Sequence, residues 1–61
     1  MMIKTIDGRN QQICITIVKD GKTLMNMTSN DSTGYVDMDR CNNVTTNYDE
    51  SRRMMMVRIE V

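Results

Sequence analysis

The chain contains no histidine, phenylalanine or tryptophan, and only two tyrosines occur among its 61 residues. Without histidine it lacks the commonest general base near neutral pH and the commonest metal ligand. Lysine could serve as a base, but two of the three lysines, Lys19 and Lys22, flank a predicted turn. No Gly-rich phosphate loop is present either. The sequence therefore predicts a protein that is not an enzyme and that holds no cofactor.

Cysteine is scarce as well, with only Cys14 and Cys41. Two cysteines form neither a disulfide framework nor a recognisable zinc spacing, so we expect free thiols and no metal site. Cys14 alternates with isoleucines in an apolar stretch, which indicates a small buried hydrophobe. Cys41 follows Arg40 and precedes two asparagines, which predicts an exposed thiol that the neighbouring arginine could activate.

Carboxylates cluster in the middle third of the chain. Asp37 and Asp39 are two residues apart, so on a strand they would point the same way and could share a hard cation. Runs of charge are more often solvated surfaces, however. We therefore interpret this region as a solvated acidic loop with Arg40 as a nearby counter-charge.

The small size of the chain limits its stability. A single domain over residues 1–61 buries only about 60% of its unfolded surface. Apolar residues make up 39% of the chain, below the ~45–50% of ordinary globular domains. Eight methionines partly replace the missing aromatic residues, and methionine is frequent at binding surfaces that adapt to a partner. A core of this kind is weak, so we expect a homo-oligomer, most simply a dimer.

Charge and hydropathy narrow the partners and the location. Eight basic and eight acidic residues give a formal net charge of zero, whereas dedicated nucleic-acid binders usually carry a basic excess. No stretch approaches the ~18 apolar residues of a membrane span, and the N-terminus does not resemble a signal peptide. The sequence therefore predicts a cytoplasmic protein without membrane contact.

The clearest local signal is a hairpin over residues 13–28. Two β-prone runs flank Asp20-Gly21, and a two-residue Asp-Gly loop is a strong hairpin signal because both positions need positive φ. This register pairs Ile17 with Leu24 and leaves apolar side chains on both faces. Each face therefore needs a cover.

Asp7-Gly8 repeats the same dipeptide and predicts an earlier hairpin, with residues 1–6 pairing with residues 9–14. Together the two turns would form a three-stranded meander around a central strand over residues 9–18. Residues 35–48 are ambiguous, since their apolar positions fit short strands but also fit one helical stripe. Two asparagines and two threonines in the centre of this segment disfavour the helix.

The last ten residues, RRMMMVRIEV, alternate as a strand. We expect one face to join the core through Met55, Val57, Ile59 and Val61. The other face carries Met54, Met56 and Arg58, and Arg52 and Arg53 precede it. Methionine and arginine are enriched in protein interfaces. These five residues are therefore the predicted partner-binding set: Met54, Met56, Arg58, Arg52 and Arg53.

The sequence as a whole predicts an all-β domain. We expect a small antiparallel meander of four to six short strands, arranged as a small barrel or a dimeric sheet. The alternative is an α+β layer with one helix over residues 35–48.

Three functions remain open. The first is a small non-enzymatic protein-interaction module that inhibits or antagonises a larger host protein by direct binding. Proteins of this size and type are often encoded by phages and other mobile elements, and would act in the cytoplasm of the host cell. The second is a nucleic-acid-binding β-module that uses Lys4, Arg9, Lys19, Lys22, Arg52 and Arg53 against phosphates. The third is a self-assembling structural protein.

Overall fold

The described part of the chain folds into four strands and one turn of 3-10 helix. In a computed structural model that describes residues 2–61, the elements in chain order are β1 (Ile3–Lys19), β2 (Lys22–Asp37), the 3-10 helix (Met38–Arg40), β3 (Asn43–Asp49) and β4 (Met54–Glu60). This confirms the all-β prediction, with four strands. The alternative helix over residues 35–48 is wrong, because this segment contains the end of β2, the 3-10 turn and most of β3.

The strands form one mixed sheet in the order β2-β1-β4-β3. β1 pairs antiparallel with β2, and β3 pairs antiparallel with β4. β4 lies parallel to β1, with Gln12 opposite Met54 and Val18 opposite Glu60. The sequence predicted antiparallel pairing throughout, and a parallel pair between distant segments leaves no local signal. Among the described residues β2 and β3 are the edges, so the sheet is open and does not close into a barrel.

The predicted turn at Asp20-Gly21 is confirmed. Both residues have positive φ, 51° and 77°, and Lys19 pairs with Lys22 as a two-residue loop requires. Beyond the pair Val18–Thr23, a bulge at Leu24 shifts the register by one residue. Ile17 therefore pairs with Met25, whereas the sequence predicted that it pairs with Leu24. A one-residue slip moves every later side chain to the other face. Met25 and Met27 therefore share a face with the isoleucines of β1.

The predicted hairpin at Asp7-Gly8 is wrong, and so is the meander built on it. Both residues lie inside β1, which runs on to Lys19. The chain bends after Gly8 without reversing, because β1 contains two extra residues between its pairs Gly8–Ser32 and Gln12–Asn30. Asn10 and Asp31 adopt positive φ at the bend, 63° and 53°. The Asn10 backbone N–H donates to Asp31 Oδ1 over 2.9 Å and joins the two strands there.

This bend folds the start of the hairpin over the sheet. We call the folded part the arm; it consists of residues 3–8 paired with residues 32–37. Ile6 of the arm packs against Val44 of β3 and Val57 of β4, and all three are buried. The molecule is 15 Å in its thinnest dimension, as two layers about 10 Å apart require. The arm therefore replaces the second layer that a larger domain would build from a helix or another sheet.

The arm divides the sheet into two distinct faces. We call the covered side the core face, and partly buried hydrophobic residues surround its buried centre: Ile15, Val36, Met38, Cys41, Met55 and Ile59. The opposite side, here the outer face, includes Cys14, Thr16, Met56 and Arg58, which lie side by side in the parallel pair. The predicted core positions Met55, Val57 and Ile59 are confirmed. The prediction that Val61 belongs to the core is wrong, because Val61 follows the end of β4 and is 38% exposed.

Gly8 is the position on which the bend depends. A Cβ atom at residue 8 would lie 2.6 Å from the backbone oxygen of Ser32 and 2.8 Å from Ile13 Cγ2. Neither residue 8 nor residue 34 has positive φ. Glycine is required at position 8 by close approach of the backbone and not by a turn conformation.

We predict that Gly8→Ala destabilises the protein by about 1–3 kcal/mol, the usual cost of overpacking. Gly34→Ala is the matched control, because it lies in the paired strand and its Cβ would meet no atom within 4 Å. The control should change the free energy of unfolding by less than about 1 kcal/mol, in either direction. Urea titration followed by circular dichroism measures both. Equal effects of the two substitutions would contradict the packing of Gly8 against Ser32.

A second prediction concerns how the arm is held. Ile6→Ala should cost about 2–5 kcal/mol, as expected for a truncated buried isoleucine. Ile3→Ala changes the same residue type on the same strand, but Ile3 is 52% exposed, so its cost should stay near 0.5 kcal/mol. Amide hydrogen exchange should show in addition that Ile6→Ala deprotects residues 3–8 before β4. A similar cost for both variants would show that the arm does not cover the sheet.

Candidate interaction surface

The outer edge of β2 is the most apolar exposed part of the described chain. Leu24 is 60% exposed, Met25 44% and Met27 45%. β2 has only β1 as a neighbour within residues 2–61, so the backbone groups on its other side have no strand to pair with. Exposed edge strands with apolar side chains are surfaces on which another strand can add.

An apolar cleft opens beside this edge, between the arm and the sheet. Its volume is about 300 Å³. Met27 and Tyr35 line it and are strongly exposed, which places them at its mouth. The remaining lining contains no acidic or basic side chain: Ile6, Ile13, Ile15, Ser29, Ser32, Thr33, Gly34, Val36, Val57 and Ile59. The cleft is thus suited to apolar groups and not to charged ones.

Two of the four hydroxyl-bearing side chains that line this cleft, Ser29 and Ser32, are engaged with each other. The Ser29 and Ser32 hydroxyls share a hydrogen bond, and the Ser32 hydroxyl also lies 3.2 Å from the Asn30 carbonyl, to which it can donate instead. The cleft therefore offers a ligand mainly apolar contacts, with few polar groups to fix its orientation.

The predicted partner-binding residues of β4 do share a surface. Met54, Met56 and Arg58 alternate along β4 and face away from the arm, with both methionines half-buried and Arg58 exposed. Arg58 Nε donates to Glu60 Oε1 over 3.2 Å. β4 lies inside the sheet, between β1 and β3. A partner could therefore contact these side chains but not add a strand to them, and their role in binding stays a prediction.

Arg52 and Arg53 lie in the turn between β3 and β4, and both are exposed. Asp49 organises this turn, since its Oδ1 accepts hydrogen bonds from the backbone N–H groups of Ser51 and Arg52 and from the Ser51 hydroxyl. Arg52 Nε lies 3.6 Å from Asp49 Oδ2. Arg53 has a φ of 54°. The turn thus holds both arginines at one end of the sheet, and whether a partner uses them stays a prediction.

Hydrogen bonds lower the pKa of two aspartates. The Ser51 hydroxyl, followed by the Arg52 N–H, lowers the pKa of Asp49. The Arg9 guanidinium lowers the pKa of Asp7, with N–O distances of 3.0 and 2.9 Å. The stability that each contributes is present above the ordinary pKa of 3.8 and is lost as the pH falls through the lower folded value. Arg9, one of the six possible phosphate ligands, therefore already has a carboxylate partner.

The acidic segment is arranged as a capped turn. Asp37 ends β2, and its side chain accepts a hydrogen bond from the Asp39 backbone N–H over 3.0 Å. Arg40 Nε lies 3.6 Å from Asp37 Oδ2, close enough to serve as the expected counter-charge. The described residues contain no group of three or more side chains that could hold a metal ion.

The two thiols differ from each other less than the sequence suggested. Cys14 is buried as predicted, beside the Asn26 side chain. The prediction of an exposed Cys41 is wrong, because its side chain packs against the core and its thiol donates to the Asp37 carbonyl over 3.5 Å.

Sequence reasoning missed the β2 edge and the cleft as a candidate site. The signal was the apolar character of both hairpin faces, which required a cover for each. The bulge at Leu24 was not visible in the sequence, and it is this bulge that brings Met25 and Met27 to the core face beside Ile17 and Ile15. The fold therefore places Met25 and Met27 on the same face as the isoleucines of β1. In the regular register they would have lain on the opposite face.

Comparisons with models of protein families, with curated proteins and with solved structures give no match for this chain. The described residues form no helix that is long and apolar enough to span a membrane.

We predict that both thiols are protected in the folded protein. A thiol reagent should label Cys14 more slowly than Cys41, and both more slowly than in urea, because labelling a buried group requires local opening. Every ~1.4 kcal/mol of opening free energy slows labelling about tenfold. Mass spectrometry of labelled peptides over time measures each site. Labelling of Cys41 at the unfolded rate would contradict its contact with the core.

Proposed function

We propose that this protein is a small, non-enzymatic protein-interaction module whose binding surface is the open edge of β2 and the apolar cleft beside it. One observation carries the proposal. The most exposed apolar run of a 61-residue chain lies on an edge strand of the described sheet, next to a cleft that opens at the same strand.

Strand addition is the binding mode that this surface favours. An extended segment of a partner can hydrogen-bond to the free backbone groups of β2, while an apolar side chain of the same segment enters the cleft between Met27 and Tyr35. At about 300 Å³ the cleft lies at the lower limit of ligand pockets, which span ~300–1,000 Å³. That volume suits an apolar side chain better than a cofactor.

The chemistry of the cleft supports binding and not catalysis. Tyr35 is the one titratable residue in its lining, and it is 73% exposed. A general acid or base near neutral pH is absent from this lining. A partner bound here meets only apolar and hydroxyl groups.

An extended segment that is held on β2 is removed from its own protein's contacts. We therefore include in the proposal that the module inhibits or antagonises a larger host protein, as a small phage or mobile-element protein would in the host cytoplasm. The two surfaces of this chain are separate, so the residues of β4 and its turn, Met54, Met56, Arg58, Arg52 and Arg53, are a second place where the same target could be contacted.

The test is a capture experiment in nuclease-treated lysate of the source cell, with tagged wild-type protein and two matched double variants. Met25→Lys/Met27→Lys changes the β2 edge, and Thr46→Lys/Tyr48→Lys adds the same charge on the β3 edge. All four side chains are exposed, so both variants should remain folded. We expect a protein partner that wild type and the β3 variant recover equally and that the β2 variant recovers at least about tenfold less.

A third variant separates the two surfaces. Met54→Gln/Met56→Gln/Arg58→Gln keeps the β2 edge intact and alters the outer face. Selective loss of the partner with this variant would show that binding uses the outer face and would overturn the proposal. A parallel capture from untreated lysate is the comparison. Proteins that are recovered there but all lost after nuclease treatment would favour a nucleic-acid-binding module instead.

A further inference from the structure

We infer that the occupant of the β2 edge is a second copy of this chain, added antiparallel about a two-fold axis at Met27, so that two four-stranded sheets join into one of eight strands. The inference rests on the proposed function, because it names the partner that occupies the same edge. A host segment would then bind by competing with the second copy.

The exposed surface of the monomer is the first argument. A folded monomeric protein of this mass exposes roughly 4,100 Å², whereas this chain exposes 4642 Å². The excess of about 500 Å² approaches the ~800 Å² that each partner buries in a standard interface. A second copy on the β2 edge would cover the exposed apolar side chains of Leu24, Met25 and Met27.

The irregularities of β2 define which residues can pair. A bulge at Leu24 and a bend at Asp31 interrupt the strand on either side. Bulges of this kind keep edges from pairing. Between them lies a regular stretch from Met25 to Asn30, and Met27 is close to its centre. Only a short partner strand of matching length fits this stretch.

Symmetry then selects the register. In an antiparallel pair that continues one sheet, opposed side chains lie on the same face. With Met27 opposite Met27 of the other copy, Met25 opposes Ser29 and Asn26 opposes Thr28. Met25, Met27 and Ser29 all belong to the core face, since they pair with Ile17, Ile15 and Ile13 of β1. The two cleft mouths meet at the axis and close each other.

Charge complementarity favours the same register. Distances along β2 can be counted on its neighbour β1. Lys22 pairs with Lys19 and Met27 pairs with Ile15, so Lys22 lies four strand positions from Met27 in one direction. Asp31 follows Asn30, the partner of Gln12, and so lies about four positions away in the other direction. The two distances from Met27 are equal because the bulged residue Leu24 occupies no position of its own in the pairing with β1. The two-fold axis therefore brings Lys22 of each copy, just beyond one end of the paired stretch, towards Asp31 of the other copy. Oδ1 of Asp31 accepts the Asn10 N–H, so we expect Oδ2 to face the lysine. A register centred one residue earlier would oppose Lys22 to Ser29.

Sedimentation equilibrium of the purified protein tests the assembly. We expect the mass to rise with concentration to twice the 7.1 kDa of one chain. Lys22→Glu brings two negative charges together at each end of the paired stretch and should weaken association about tenfold, since like charges across a strand pair are unfavourable. Arg53→Glu is the control: it makes the same reversal of charge at an exposed position in the turn between β3 and β4, away from the β2 edge, and should leave association unchanged.

Disulfide trapping tests the axis independently. Opposed residues of an antiparallel pair have Cα atoms about 4.5–5.5 Å apart, inside the ~4.4–6.8 Å range of disulfides. Met27→Cys should therefore give a covalent dimer under mild oxidation, linked through residue 27. Tyr48→Cys is the control, because Tyr48 lies on the β3 edge with a similar exposure, 51% against 45%.

The outcomes separate this inference from the proposed function. A wild-type chain that stays monomeric at all concentrations overturns the inference, while capture of a host protein through β2 would still support the module. A dimer that Lys22→Glu leaves intact, with Met27→Cys no better linked than Tyr48→Cys, also overturns it. A dimer that is weakened by Lys22→Glu and trapped through residue 27 supports it, whatever the lysate yields.

Discussion

The contact between Gly8 and the Ser32 carbonyl is the constraint on which the rest of the structure depends. A chain of 61 residues with no phenylalanine or tryptophan cannot cover a four-stranded sheet with a separate layer. It covers the sheet with its own longest hairpin, which bends by two extra residues in β1 and by positive φ at Asn10 and Asp31. The bend is possible only where the two strands approach within the space that a side chain would fill. Ile6 can then reach Val57 and Val44, and the cleft is the space that this cover leaves open at one side.

The two Asp-Gly dipeptides show how far the sequence could predict the fold. At Asp20-Gly21 the glycine supplies positive φ and the chain reverses, as local turn chemistry predicts. At Asp7-Gly8 the same two letters serve a close tertiary contact, and nothing within a few residues distinguishes this use from a turn. The parallel pairing of β4 with β1 is equally non-local, because its register is set by Ile13, Ile15 and Ile17 meeting Met55, Val57 and Ile59 from the other end of the chain. Alternation predicted which residues of β4 face the core, but not which strand they lie beside.

The candidate site could be predicted only in part, for a related reason. The composition indicated adaptable methionine surfaces, and the alternation of β4 correctly grouped Met54, Met56 and Arg58 on one face. The more exposed methionines are those of β2, however, and their face depends on the single bulged residue Leu24. Without the bulge, Met25 and Met27 would lie on the outer face, far from the cleft. A bulge changes register without a distinctive composition, so regular alternation assigned both residues to the wrong side.

The bulge at Leu24 and the bend at Asp31 limit which strands can add to β2. A long, flat, apolar edge adds strands without limit and leads to aggregation. Here a bulge and a bend leave about six residues free, with a lysine at one end and an aspartate at the other. An added strand must be short, must run antiparallel if it brings the same charges, and must place an apolar side chain at Met27 to close the cleft. The chain's own β2 meets all three conditions, because its free stretch has its charges at opposite ends and a methionine near its middle. A host segment that binds there must satisfy the same conditions, so the surface that we infer to join two copies would also define the kind of sequence that displaces one of them.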